Sequence, residues 1–144
     1  MFNLEASGHR VFAPTLKDEY SYSLSDHIEQ RRYNYMNIID WNKVDFKQIR
    51  EGVFYKTIAG NNMQMFHLKL APGQVTNHTH AEEQMGYIIA GEAKITIGSE
   101  TKTCKAGSAY FIPSNRPHGF KVIGDNFLEY LEIFSPPKKE HPKF

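Results

Sequence analysis

The sequence predicts an all-β domain, built as a sandwich or barrel of short strands. From Asn37 onward, alternating or apolar stretches recur at a spacing of roughly 8–12 residues. Clusters of Gly, Pro, Asn and Ser bound these stretches and mark turns. Few helical patterns lie between them, which favours a sandwich or barrel over a mixed α/β fold.

The first 37 residues differ in texture from the rest and are predicted to form an N-terminal arm, residues 1–37. They lack sustained periodicity and are rich in Ser, Tyr and charged side chains. Ser25 and Asp26 could cap a short helix that ends near Arg32, although its apolar stripe is thin. We expect the arm to pack on the domain, which spans 38–144, or on a second subunit.

Five strands are predicted from pattern and punctuation. The stretch Met63–Leu70 alternates, and it stops at the turn signal Ala71-Pro72-Gly73. The other four strands are Gly86–Ala90, Ala93–Gly98, Ala109–Ile112 and Phe127–Phe134. Glycines in the intervening turns are expected to adopt positive φ, namely Gly91, Gly98 and Gly107.

Composition excludes several classes of function. The chain of 144 residues carries 17 Lys+Arg against 16 Asp+Glu, so it presents no electrostatic footprint for nucleic acid or an anionic membrane. No apolar run approaches the roughly 18 residues of a spanning helix, and the N-terminus lacks the apolar stretch of a signal peptide. A single cysteine, Cys104, excludes an internal disulfide and a Cys-rich zinc site. We therefore expect a cytoplasmic protein that binds neither nucleic acid nor membrane.

Three histidines and one glutamine form the candidate metal site. His78 and His80 share one face of an extended strand, and Gln84 joins that face if the chain turns once at 81–83. His118 follows a proline-rich turn, from which a returning strand could carry it back. Three imidazoles and an amide oxygen would hold one divalent metal ion, and imidazole ligands suit Fe, Ni, Zn or Mn.

These residues resemble the two motifs of the cupin family. The first motif is Gly73-x4-His78-x-His80-x3-Gln84-x6-Gly91, and the second is Gly107-x5-Pro113-x-Asn115-x2-His118. The resemblance implies a double-stranded β-helix, a jelly-roll barrel, with the metal inside. Gln84 stands where many cupins have Glu, and a neutral amide would leave the ion its full charge.

A narrower resemblance, over residues 38–138, is to the cupins that ketonise unsaturated uronates released by pectin and alginate lyases. The matching pieces are Ile39-Asp-Trp41, Gly52-Val53, the His-x-His-x3-Gln ligands, Gly86-Tyr87-Ile88 and Phe134-Ser-Pro-Pro137. The family's pocket-lining Asp, Phe and Arg correspond to Glu132, Phe134 and Lys138. Lys138 offers a point charge where Arg offers a planar fork, which would alter how a substrate carboxylate is recognised.

The last strand has two interpretations when its residues are taken alone. Tyr130, Glu132 and Phe134 share one parity, so either this set or the set with Leu131 and Ile133 faces the core. The resemblance favours Glu132 inside, where it would move a proton, with Tyr130 as a second candidate for that role. Phe134, Lys138 and Arg116 are the candidate substrate-binding residues.

Three classes of function fit these residues. The first is a metal-dependent isomerase or lyase-like enzyme acting on a small anionic sugar acid or related keto acid. The second is an Fe- or Ni-dependent dioxygenase with the same ligands, and the third is a non-catalytic ligand-binding cupin. Edge strands of a small jelly roll need cover, and we therefore expect a homodimer.

Overall fold

The computed structural model describes residues 38–138, which contain ten strands and one short 3-10 helix, Trp41–Lys43. The predicted arm, 1–37, and its helix lie outside the described residues. The strands are β1 Lys47–Arg50, β2 Val53–Ala59, β3 Gln64–Leu70, β4 Val75–His78, β5 Glu83–Ala90, β6 Glu92–Ile97, β7 Glu100–Lys105, β8 Ala109–Ile112, β9 His118–Ile123 and β10 Leu128–Ser135.

The strands form two antiparallel sheets. The larger sheet has the order β1-β2-β3-β10-β5-β8, and the smaller has the order β4-β9-β6-β7. Strands distant in sequence are therefore neighbours, as β3 is with β10 and β4 is with β9. This two-sheet arrangement confirms the predicted all-β jelly roll.

Apolar side chains from both sheets form one core. The larger sheet contributes most of them, including Phe66, Leu68, Ile88 and Leu128, each at most 1% exposed. The smaller sheet contributes Ala93, Ile95, Phe120 and Val122. Burying these side chains removes apolar surface from water, which is the main stabilising contribution in a domain of this size.

The five predicted strands are all present, with ends that move by at most three residues. The turn glycines adopt positive φ as predicted. Gly91, at φ 81°, connects β5 to β6, and a methyl group there would overlap the carbonyl oxygen of Phe127. This turn therefore accepts only glycine without a backbone shift.

The structure shows which face of the last strand, β10, points into the core. Leu128, Tyr130, Glu132 and Phe134 alternate as buried residues along β10, and Glu132 is only 2% exposed. Ile133 lies on the opposite, outer face and is 43% exposed. Glu132 is therefore inside the domain, as the family resemblance indicated.

His67 lies on the outer face of the larger sheet, in a polar and aromatic cluster that covers β3. The indole Nε1–H of Trp41 donates to His67 Nδ1 at 3.1 Å, which leaves the proton of the neutral ring on Nε2. That nitrogen lies 2.7 Å from Glu129 Oε1. Phe46 meets the imidazole edge-on, and Lys56 donates to the carbonyl oxygen of Trp41.

Within residues 38–138, no helix has the length and apolar character needed to span a membrane.

Candidate metal centre

The three predicted histidine ligands lie together inside the domain. His78 ends β4 and His118 begins β9, and the two residues are direct cross-strand partners. His80 follows two residues after His78, and its ring lies 4.8 Å from that of His118. Ligand nitrogens of the three residues all lie within 4.8 Å of one another. The cluster thus combines two histidines that are close in sequence with a third that the pairing of β4 and β9 brings to them.

The Nε2 atom of His118 is oriented as a metal ligand. Its Nδ1–H donates to the backbone carbonyl of Arg116 at 2.7 Å, so Nε2 carries the lone pair of the neutral ring. Among the residues that the structure describes, no group forms a hydrogen bond with this buried Nε2. A buried acceptor without a partner is costly, and a cation in the cluster would satisfy it.

His80 and Gln84 form a second contact in which hydrogen-bond acceptors can face each other. His80 Nδ1 lies 3.0 Å from the backbone oxygen of Glu82, and His80 Nε2 lies 2.9 Å from Gln84 Oε1, so both ring nitrogens face an acceptor. A neutral ring carries one N–H and can donate to only one of these oxygens. When the proton is on Nδ1, the lone pair of Nε2 faces Gln84 Oε1, and a cation between them would relieve this contact.

Burial keeps the three histidines in their neutral form. Desolvation lowers the pKa of all three histidines, and the nearby Lys138 charge lowers each pKa further. For His78 the pKa falls to about 3. The rings are therefore neutral at pH 7, the form in which imidazole binds metal. The donor set of three nitrogens and one amide oxygen fits a divalent ion.

Glu132 lies next to this cluster and is connected to it through Gln84. The Gln84 amide nitrogen donates to Glu132 Oε1, while the amide oxygen faces His80. The hydroxyl of Tyr110 donates to the same Oε1 at 2.8 Å. Burial raises the pKa of Glu132 to about 7, although the two hydrogen bonds and the Lys138 charge oppose that rise.

Phe134 and Lys138 border the same region. The ring of Phe134 meets His80 edge-on at 5.5 Å, and Lys138 Nζ lies 4.4 Å from the centre of the Phe134 ring. Burial lowers the pKa of Lys138, while the Glu132 and Glu82 charges raise it. The backbone N–H of Lys138 donates to the buried Gln64 Oε1 at 3.0 Å, which anchors the chain after β10. The arrangement combines a cation with a carboxyl group beside the histidines.

Two predicted site residues, Tyr130 and Arg116, lie outside the hydrogen bonds that join Gln84, Glu132 and Tyr110. Tyr130 is 1% exposed, and its ring stacks on Phe120 at 5.6 Å within the core. Arg116 is exposed in the turn before β9, where its side chain lies against Gly98. The backbone carbonyl of Arg116 accepts the hydrogen bond from His118 Nδ1. Binding of a substrate carboxylate by the Arg116 guanidinium stays a prediction.

Tyr110 is not among the site residues that the sequence predicts. Alternation in the short β8 shows only that Tyr110 and Phe111 face opposite sides. Phe111, the more apolar residue, is 47% exposed on the outer face, whereas Tyr110 faces the core. Predicting the contact of Tyr110 with Glu132 would have required the strand register, because Tyr110 pairs with Gly86, and Gly86 pairs with Glu132.

Comparisons with known proteins agree with this geometry. Residues 66–134 match the cupin domain family. An uncharacterized protein of Streptomyces coelicolor is 29% identical over 89 residues, which cover 61% of this chain and 84% of that protein. The H2HPP isomerase of Bacillus subtilis is 33% identical over 80 residues, which cover 55% of this chain. The match spans about a third of that relative, 34% of its length.

A solved structure shows the same fold. KdgF from Halomonas sp. superposes with a TM-score of 0.64 at 22% identity. The alignment covers 69% of this chain and 92% of KdgF. At this identity the likeness describes the fold alone.

Proposed function

We propose, because residues 66–134 match the cupin domain family, that this chain is a metal-dependent enzyme that isomerises or ketonises a small anionic substrate. The substrate class is an unsaturated sugar acid or a related keto acid. One observation carries the proposal: Glu132, a buried carboxyl group with a pKa of about 7, is hydrogen-bonded to Gln84, whose amide oxygen faces the histidine cluster. The isomerase among its relatives supports the same class of reaction.

The proposed cofactor is one divalent ion, Fe, Ni, Zn or Mn, held by His78, His80, His118 and Gln84. Such an ion supplies Lewis-acid polarisation of a substrate oxygen when it is bound. The three neutral imidazoles and the oriented amide are the chain's contribution to holding it. Metal analysis of the purified protein tests this assignment directly.

Glu132 is the proposed proton-transfer group. Ketonisation removes a proton from an enol oxygen and adds one to a carbon, so a group that both accepts and donates a proton can serve both steps. A carboxyl group with a pKa near 7 is suited to this exchange at neutral pH. Lys138 is proposed to bind the substrate carboxylate, and Phe134 to pack against the substrate beside it.

The decisive experiment follows a panel of unsaturated uronates with and without chelator. We expect loss of the unsaturated chromophore above the spontaneous rate, and we expect chelator to abolish it. Glu132→Gln should retain metal and lose at least about 100-fold in kcat. Glu129→Gln, on the same strand but facing outward, is the matched control and should retain activity. Bound metal without turnover of any uronate would reject the substrate assignment, and oxygen uptake would instead indicate a dioxygenase.

We further propose that the enzyme is cytoplasmic and homodimeric. The dimer is supported by an apolar row across the outer face of the larger sheet, where Ile133 pairs with Met85 and Met85 pairs with Phe111. These three side chains are 43%, 57% and 47% exposed. An exposed apolar patch of this kind favours association. Light scattering of the full chain tests the dimer, and a monomer would reject it.

A further inference from the structure

Three residues lie side by side across the inner face of the larger sheet. Glu132 on β10 is the direct partner of Gly86 on β5, and Gly86 is the direct partner of Tyr110 on β8. One strand, β5, therefore lies between the strand that carries the carboxyl group and the strand that carries the phenol hydrogen-bonded to it. The residue between them, Gly86, is a glycine and has no side chain.

Gly86 leaves the space through which Tyr110 reaches Glu132. A methyl group at Gly86 would overlap Cζ and Oη of the Tyr110 ring. The tyrosine thus lies directly across the glycine, and its hydroxyl ends 2.8 Å from Glu132 Oε1. Any larger residue at position 86 would displace the ring, because the overlap is with the rigid aromatic group itself.

The ring of Tyr110 also packs against Phe120. It meets Phe120 edge-on at 5.4 Å, and Phe120 in turn stacks on Tyr130. A hydroxyl on a ring packed in this way has a fixed position, which pre-organises its hydrogen bond.

We propose that Tyr110 is a positioning residue for Glu132 and that Gly86 is conformationally required for it to act. The inference rests on the proposed function of Glu132. The hydrogen bonds from Tyr110 and Gln84 both end on Oε1. They fix the plane of the carboxyl group and leave Oε2 as the oxygen that exchanges a proton with the substrate. Orientation of this kind acts on the rate of the chemical step more than on binding.

Tyr110→Phe tests the proposal, because it removes the hydroxyl and keeps the ring. We expect kcat to fall about 10- to 100-fold, with KM and metal content nearly unchanged. Tyr87→Phe, a tyrosine on the outer face of the neighbouring β5, is the matched control and should retain kcat. An unchanged kcat in Tyr110→Phe would overturn the proposal, and so would a rise in KM alone.

Gly86→Ala provides a second test from the opposite side of the contact. It should lower kcat as Tyr110→Phe does, with metal retained. In the double variant the second substitution should cost little further kcat, since both changes remove the same hydrogen bond. Fully multiplicative losses would contradict a shared cause. If Gly86→Ala does not fold, Tyr110→Phe still decides.

An infrared measurement separates this inference from the proposed reaction. At pH 5 the carboxyl band of Glu132 is identified in the metal-free protein by its loss in Glu132→Gln. Loss of a donor should move that band to higher wavenumber in Tyr110→Phe. A shifted band without turnover of any uronate would keep Tyr110 as the residue that orients Glu132 and reject only the proposed function. An unshifted band would reject the contact and the inference with it.

Discussion

At the scale of single residues, the candidate metal ligands are the most predictable part of the site. The chain has seven histidines, and spacing together with the family resemblance selected His78, His80 and His118, which the structure brings within 4.8 Å. The direction of Glu132 was not fixed by alternation, because parity allows either face inward. Tyr110 was not predictable, since its contact depends on two strand registers at once.

His118→Ala should abolish stoichiometric metal binding, because His118 contributes the buried Nε2 that lacks a hydrogen-bond partner among the described residues. The measurement is the metal-to-protein ratio after dialysis. His67→Gln is the matched control, since His67 lies on the outer face and contacts Trp41 and Glu129 instead. Equal metal content in both variants would contradict the assignment.

Glu132 should make the stability of the metal-free protein depend on pH. Its pKa is about 7 in the folded state against 4.5 for the free group. Between these two pH values the native state therefore holds a proton that the unfolded state has released. Its stabilising contribution is complete below pH 4.5 and is lost as the pH rises through 7.

The difference in unfolding free energy between the wild type and Glu132→Gln isolates this contribution. We expect it to fall by on the order of 3 kcal/mol between pH 4 and pH 8, measured by urea unfolding. A difference that does not change with pH would show that Glu132 titrates normally in the folded protein.

At the scale of single elements, a strand was predictable where its sequence shows an apolar face. The predicted β6 alternates between exposed and buried positions over its first four residues, whereas β7 is exposed at five of six positions and has no apolar face to detect. In β2, buried residues occur on both faces of the strand, because Trp41 and Phe46 cover Lys56 on the outer face. Alternation is a signal only where the two faces meet different surroundings.

The short helix Trp41–Lys43 is attached to β3 through the indole of Trp41. Trp41→Phe keeps an aromatic ring but removes the N–H that donates to His67 Nδ1, so a buried acceptor loses its partner. We expect a loss of about 1–2 kcal/mol in unfolding free energy, measured by urea denaturation followed by circular dichroism. Metal content should not change. A loss of metal would show that the outer cluster and the inner site are coupled.

At the scale of the whole domain, the proposed metal ligands come from both sheets. His78 and His118 belong to the smaller sheet, whereas Gln84 belongs to the larger. A bound ion would therefore connect the sheets, and binding to the native state alone stabilises that state by mass action. We expect removal of metal by chelator to lower the Tm by several degrees in the wild type. In His118→Ala, chelator should leave the Tm unchanged.

The pairing of His78 with His118 also has a consequence for how the chain folds. Forty positions separate the two residues in sequence, and they meet only when β4 and β9 pair. In a nascent chain, only His78, His80 and Gln84 are close enough to capture an ion, so the complete ligand set is a product of late, long-range closure. Metal should accordingly slow unfolding far more than it speeds folding. The reason is that contacts which are absent from the folding transition state change the unfolding rate and leave the folding rate nearly unchanged.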